Sequence, residues 1–171
     1  GYRAIAPTGT ISMLAGTTSG IEPVYSVAVK RRYLTDGTRW KYEYAIDGTA
    51  QALIDTGINP EKIETAVDLA AEPQRRIQMQ HDVQAYVDQA ISSTINLPSW
   101  GSELNNEDLV PQYAALIQKY AKGLRGLTVY PDGSRGGQPI TSVPYEEAVK
   151  KTGVVYEDNS EEQCMSGVCG I

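Results

Sequence analysis

The chain's two cysteines, Cys164 and Cys169, are separated by four residues in the closing stretch EEQCMSGVCGI, beside Glu161 and Glu162. Two thiols at this spacing offer three kinds of chemistry. Half a zinc site fails on ligand count, because four ligands are needed and the sequence holds a single histidine. A structural disulfide would close a short loop on a polar tail and stabilise no core. A redox pair suits the setting better. A dithiol on a flexible segment can enter a buried site, exchange with a disulfide there and return to an external reductant. Exchange proceeds through the thiolate, and the two glutamates keep both thiols largely protonated until a cationic or partner surface engages them.

A different chemistry is written in APTGTIS, residues 6–12. Pro7 fixes one dihedral, Gly9 permits close backbone approach, and Thr8, Thr10 and Ser12 add hydroxyls. Consecutive backbone N–H groups where Ile11 opens a short helix, with no acid nearby, make an anion site. The same residues suit an ordinary strand-to-helix turn equally well. No lysine follows glycine in the frame of a Walker loop. GTTSGIEP (16–23) is a loop of similar kind, and Glu22 is expected to anchor it by accepting backbone N–H groups rather than to catalyse. GLTVYPDGSR (126–135) puts Tyr130 at the carboxyl end of a buried strand, where α/β folds place ligands, although a half-buried ring accounts for it too. Arg135 either reaches a phosphate or staples the turn to a carboxylate, the second being the simpler role. His81, between Gln80 and Asp82, has no partner at ligand spacing and reads as structural.

The elements that position these residues are legible in outline. Tyr2–Ala6 reads as a strand, Tyr25–Leu34 and Trp40–Ala45 as two more joined by the TDGT turn. Gly48–Asp55 is a weak helix. Asn59-Pro60 caps another, with Ile63, Ala66, Val67 and Ala70 on one face. Glu72-Pro73 breaks it, and a longer helix is expected over Gln74–Ser92, with Ile77, Val83, Val87 and Ile91 as its stripe. A helix over Val110–Lys122 ends at Gly123, the 126–130 strand follows, and a short helix covers Tyr145–Lys151. The last stretch has four acids in residues 157–162 and is expected to be mobile. The expected division is a structured section over 1–153 and a flexible redox tail over 154–171.

Composition narrows the partners. A net charge of −6 argues against DNA or RNA, which need a basic face. Lys30, Arg31, Arg32, Arg75 and Arg76 read as solvated strand and helix ends. No apolar run is long enough for a bilayer span, and with no signal peptide at its start the chain is expected to be cytoplasmic. It opens at Gly1 without methionine and reads as a fragment or one piece of a split protein. There are 11 Tyr and no Phe, which the sequence alone does not explain.

Four stretches in order, APTGTISMLAGTTSGIEP, DQAISSTINLP (88–98), GLRGLTVYPDGSR and CMSGVC, resemble the C-terminal part of the ribonucleotide reductase catalytic subunit. The first and third look most like the adenosylcobalamin-dependent (class II) branch. The closing motif is also similar to the tail dithiol of the metal-radical class I enzymes. The resemblance implies an α/β fold, a ten-stranded barrel of which this chain supplies the last two barrel strands, Tyr2–Ala6 and Leu127–Tyr130, with the surrounding helices. It implies that Pro7, Thr8, Gly9, Thr10, Ile11 and Ser12 bind the diphosphate of a ribonucleotide substrate. It implies too that Cys164 and Cys169 shuttle electrons from thioredoxin or a glutaredoxin-like reductant. Where class I has two adjacent tyrosines on the radical path, Val129 and Tyr130 stand, which agrees with a cobalamin radical made locally. The radical cysteine is not among these residues, so an N-terminal portion or chain must supply it and most of the adenosylcobalamin contacts. The alternatives are a non-catalytic assembly or regulatory module derived from the reductase, and a class I enzyme.

Overall fold

The computed structural model describes residues 1–35, 39–134 and 139–157. In chain order the elements are helix α1 (Gly9–Ala15), strands β1 (Ala28–Thr35) and β2 (Arg39–Ile46), helices α2 (Gly48–Asp55), α3 (Ala66–Leu69) and α4 (Pro73–Gln84), and strand β3 (Thr94–Leu97). Helix α5 (Val110–Tyr120), strands β4 (Thr128–Pro131) and β5 (Ile140–Ser142), helix α6 (Tyr145–Lys151) and strand β6 (Val155–Glu157) follow. They divide into two compact units, Gly1–Tyr25 with Glu64–Ser134 and Ser26–Ile63 with Arg135–Ile171. The section expected over 1–153 therefore contains a unit boundary.

The first unit is organised by parallel pairing. β3 and β4 run parallel, from Thr94 opposite Thr128 to Leu97 opposite Pro131, and Ile5 forms a parallel bridge with Ile91 just ahead of β3. The strand expected over Tyr2–Ala6 is thus reduced to one bridge, held by Ile5 N–H to Ala90 O at 3.3 Å and Ser92 N–H to Ile5 O at 2.8 Å. Between the two expected barrel strands lies a third, β3, just beyond the helix expected over Gln74–Ser92 and in residues given no element from the sequence. Helix α4 stops at Gln84 because that side chain takes over the turn beyond it. Its Nε2 donates to Val87 O and Gln89 O, each at 2.8 Å, satisfying carbonyls that a longer helix would have used. From there Ile91, Ser93, Ile95 and Leu97 are buried, the two-residue period of a strand. Ile77 of α4, Ile95 and Tyr120 of α5 form the core, flanked by Leu116, Leu124 and Leu127. β4, expected to be buried, is an edge of a two-stranded sheet among the described residues, and Val129 is half-exposed there.

The helix expected from Asn59 is divided. A tight turn over Pro60–Lys62, with Asn59 Oδ1 accepting Glu61 N–H at 2.9 Å, gives way to extended Ile63. Thr65 then restarts the chain as α3 through a capping box with Asp68.

The second unit is an antiparallel sheet in the order β5-β1-β2-β6. β1 and β2 form the expected hairpin, in register from Ala28 opposite Ile46 to Thr35 opposite Arg39. The rest of the TDGT turn, residues 36–38, lies outside the described residues. Ala28, Tyr44 and Ala148 of α6 make its core with Tyr42, Ile46, Val143 and Tyr156 packed around them. Residues 155–157, expected as the start of the tail, are strand β6 paired with β2, where Tyr156 stacks on Tyr42 at 5.2 Å between centroids. Lys30 and Arg32 are not simply solvated: they lie over the rings of Tyr42 and Trp40 at 3.9 and 4.3 Å.

The tyrosine preference has a structural counterpart in both units. Tyr44 OH donates to Glu147 Oε1 at 3.0 Å, Tyr113 OH to Leu104 O at 2.7 Å, Tyr145 OH to Gln51 Oε1 at 3.2 Å, and Tyr120 OH to Gln78 Oε1. Each ring packs while its hydroxyl reaches a polar partner, a bond that Phe would forgo.

Candidate functional site

The strand segment through Ile5 runs parallel to β3 and β4, so residues 6–8, 98 and 132 leave the sheet at the same, carboxyl, edge. The loop of interest starts there. Thr8 has φ 46°, the one described non-glycine residue in the left-handed region, and it opens α1 two residues ahead of the expected start at Ile11. Such a residue costs about 1 kcal/mol or more in backbone strain. The first four N–H groups of a helix, those of Thr8, Gly9, Thr10 and Ile11, have no intrahelical acceptor. Thr8 makes no side-chain cap, and no acid stands in the first turn. Residues 9–11 are exposed, whereas Ser12 is buried. Residues 7–12, expected to bind an anion, contain a helix start with no side-chain cap and no acid.

The second glycine-containing loop packs directly on this one. Ser12 Oγ donates to Gly9 O at 2.9 Å and lies 2.8 Å from Ser19 Oγ. Gly20 N–H donates to Thr8 Oγ1 at 3.2 Å. Gly20 has φ +52°, and a Cβ there would stand 3.1 Å from Ile5 Cγ2, so both backbone and space call for glycine. Glu22 is the expected anchor: its Oε1 accepts Thr94 N–H at 2.6 Å.

Its other oxygen meets a residue that the sequence reading missed. Arg76, expected to be solvated, is 5% exposed. It donates to Glu22 Oε2, to Ile21 O at 3.3 Å, to Ser93 Oγ at 3.0 Å and to Thr94 O at 3.4 Å. Burial pushes its guanidinium below the ordinary value, and Glu22 opposes that shift. Arg76, Gln80 and Gln84 recur every four residues on the buried side of α4, so this helix turns a polar stripe inward. That stripe was the available signal. Arg75, one residue away, is exposed as expected and pairs with Glu64, with Nη2 2.9 Å from Oε2.

Tyr130 lies at the carboxyl end of β4 as expected, opposite Asn96 in register, and it is partly buried. Beyond it Asp132 N–H donates to Leu97 O at 2.9 Å, tying the two strand ends together. Arg135, Cys164 and Cys169 lie outside the described residues. His81 packs edge-on against Tyr120 at 5.3 Å, and a Cβ on Gly123 would stand 2.3 Å from its Nε2. Its role is structural, and Gly123 serves as its cradle more than as a helix stop. Among the described residues no cluster of His, Asp or Glu is arranged to hold a metal ion, and no helix is long and apolar enough to cross a membrane. An apolar hollow of about 290 Å³ lies between α5 and the β3–β4 sheet, lined by Ile77, Leu97, Trp100, Ile117 and Val129 among others.

A family model described as ribonucleotide reductase, barrel domain, matches residues 2–130. The vitamin B12-dependent ribonucleoside-diphosphate reductase of Mycobacterium tuberculosis is 35% identical over 157 residues, covering 81% of this chain and 22% of the relative. The protein of the same name from Thermoplasma acidophilum is 32% identical over 156 residues, covering 81% and 20%. A putative adenosylcobalamin-dependent ribonucleoside-triphosphate reductase of Mycobacterium phage D29 is 27% identical over 203 residues, covering 99% and 28%. The crystal structure of a B12-dependent (class II) ribonucleotide reductase matches the fold with a TM-score of 0.60 at 17% identity, over 85% of this chain and 22% of that one. The chain spans about a fifth of the length of the M. tuberculosis and T. acidophilum relatives.

Proposed function

The chain belongs to the ribonucleotide reductase barrel-domain family, and from that premise we propose that it is the carboxyl-terminal part of an adenosylcobalamin-dependent ribonucleotide reductase. In this reading it contributes the substrate-phosphate loop, residues 7–12, and the dithiol carrier, Cys164 and Cys169. The observation that supports it best is the start of α1, uncapped and free of acids at the carboxyl edge of the parallel strands. Backbone N–H groups there bind a diphosphate without competing for it. The names of the M. tuberculosis and T. acidophilum relatives favour a ribonucleoside diphosphate as substrate.

The tail's role follows from thiol exchange. One thiolate of the Cys164–Cys169 pair attacks a disulfide left in the barrel by turnover, forming a mixed disulfide and releasing one thiolate. The second tail thiolate then resolves that bond. Two electrons and two protons pass from the tail dithiol to the barrel disulfide, and the tail disulfide returns to thioredoxin or a glutaredoxin-like reductant. This cycle needs a reducing compartment, consistent with a cytoplasmic location.

Adenosylcobalamin supplies the initiating radical when bound. The family resemblance puts most of the adenosylcobalamin contacts outside these residues, and the chain's two cysteines are read as the dithiol carrier. The cofactor and the radical cysteine are therefore assigned to the remainder of the enzyme. Reconstitution with that remainder, adenosylcobalamin, a ribonucleoside diphosphate and thioredoxin tests the reading. The intact complex should show a cobalamin spectrum and turn over repeatedly. The Cys164→Ser, Cys169→Ser variant should stop near one turnover with thioredoxin while a small dithiol still sustains some activity. Undiminished thioredoxin-driven turnover would remove the shuttle role and favour a module that only holds a partner.

A further inference from the structure

We propose that Arg76 is a positioning residue, which sets the Thr8–Ser12 loop for its phosphate ligand by clamping residues 21–22 to the start of β3. The inference rests on the phosphate reading of that loop and adds the device that shapes it. Arg76 is buried near the start of α4, yet its donors reach acceptors on two other segments. Ile21 O and Glu22 Oε2 belong to the loop after α1, and Ser93 Oγ and Thr94 O belong to the entry of β3. Glu22 closes the clamp from its other side by accepting Thr94 N–H.

The link from this clamp to the loop is short and stiff. Glu22 N–H donates to Ser19 O at 2.8 Å, Ser19 Oγ meets Ser12 Oγ, and Gly20 N–H holds Thr8 Oγ1. Gly20 itself is wedged against Ile5. Thr8 keeps its left-handed backbone against a strain that the surrounding contacts must over-determine, and these are the contacts present. That backbone angle is what starts α1 at Gly9 and leaves the N–H groups of residues 8–11 for a ligand. A lysine in place of Arg76 would keep the charge but lose the planar fork that serves several acceptors at once. A salt bridge for stability alone would need only Glu22. The additional bonds to Ile21 O, Ser93 Oγ and Thr94 O point to geometry as the purpose.

The test uses the full 171-residue chain and inorganic pyrophosphate, with binding followed through the amide signals of residues 8–12. Wild type should bind saturably. Arg76→Lys should bind about tenfold more weakly, and Ser19→Ala, which removes one link of the path and leaves Glu22 and Arg76 intact, roughly threefold more weakly. Ser19→Ala should melt within a degree or two of wild type, which separates positioning from stability. In the reconstituted reductase both variants should raise KM with kcat nearly unchanged. Wild-type affinity in Ser19→Ala and in folded Arg76→Lys would overturn the inference and leave the phosphate reading standing. Absence of pyrophosphate binding at residues 8–12 in wild type would overturn both. If Arg76→Lys does not fold, Ser19→Ala decides.

Discussion

Two helices of this chain begin in opposite ways. α2 opens with Asp47, whose carboxylate accepts Thr49 N–H at 2.8 Å and Ala50 N–H at 3.0 Å, the ordinary solution to unpaired helix donors. α1 opens with Thr8 in a strained left-handed conformation, offers its own N–H groups no cap, and carries no acid in its first turn. The sequence spends an aspartate on the helix that only has to be stable. At the other it accepts strain and leaves the donors open, then supports the loop from outside with Glu22 and Arg76. On the proposed phosphate role of residues 7–12, the donors left open at this start are kept for the ligand.

The contrast breaks most severely if the brace is removed. Arg76→Met leaves Glu22 without its counter-charge in a mostly buried position, and the first unit should lose about 3 kcal/mol, read as a lower urea midpoint. An unchanged midpoint would mean that the pair supports nothing. The caps give the next largest effect. Asp47→Ala should cost about 1 kcal/mol, whereas Thr8→Gly should change stability by less than roughly 0.5 kcal/mol, because relief of the positive φ offsets the lost Gly20 bond. Equal losses would erase the distinction between the two starts. Thr10→Glu makes α1 resemble a conventional helix start. It should stabilise the chain by roughly 0.5 kcal/mol through the helix dipole and abolish pyrophosphate binding, a trade of ligand for stability.

The smallest effect is a pH dependence confined to the second unit. Lys151 and the Tyr44 hydroxyl hold the Glu147 carboxyl below its ordinary value of 4.5. A depressed folded-state value means that the contribution is complete above the unfolded value and is lost as pH falls through the folded one. The stability gap between wild type and Glu147→Gln should therefore narrow below about pH 4.5. A gap that widens on acidification would contradict the sign.

The anchor role of Glu22 and the open start at Thr8–Ser12 were legible in the sequence because glycines, hydroxyls and the lack of nearby acids are local signals. The β1–β2 hairpin was legible for the same reason, through its alternation. β3 was not, since Val83, Val87 and Ile91 continue a helical stripe that begins at Ile77, while Ile91, Ser93, Ile95 and Leu97 equally fit a strand. The choice between them is made by the Gln84 side chain, a contact no pattern announces. Arg76 was missed because an arginine beside another arginine on a helix is usually solvated. Only its four-residue spacing from Gln80 and Gln84 hints at a buried polar stripe. The tyrosines became intelligible once their hydroxyl partners, Glu147, Gln78, Leu104 and Gln51, were in place.

The most direct measurement is a titration of the full chain with a ribonucleoside diphosphate, following backbone amides at both helix starts. Saturable shifts are expected at Thr8, Gly9, Thr10, Ile11 and Ser12, with Gly48, Thr49 and Ala50 silent. Silence at residues 8–12, or equal shifts at the two starts, would contradict the phosphate reading.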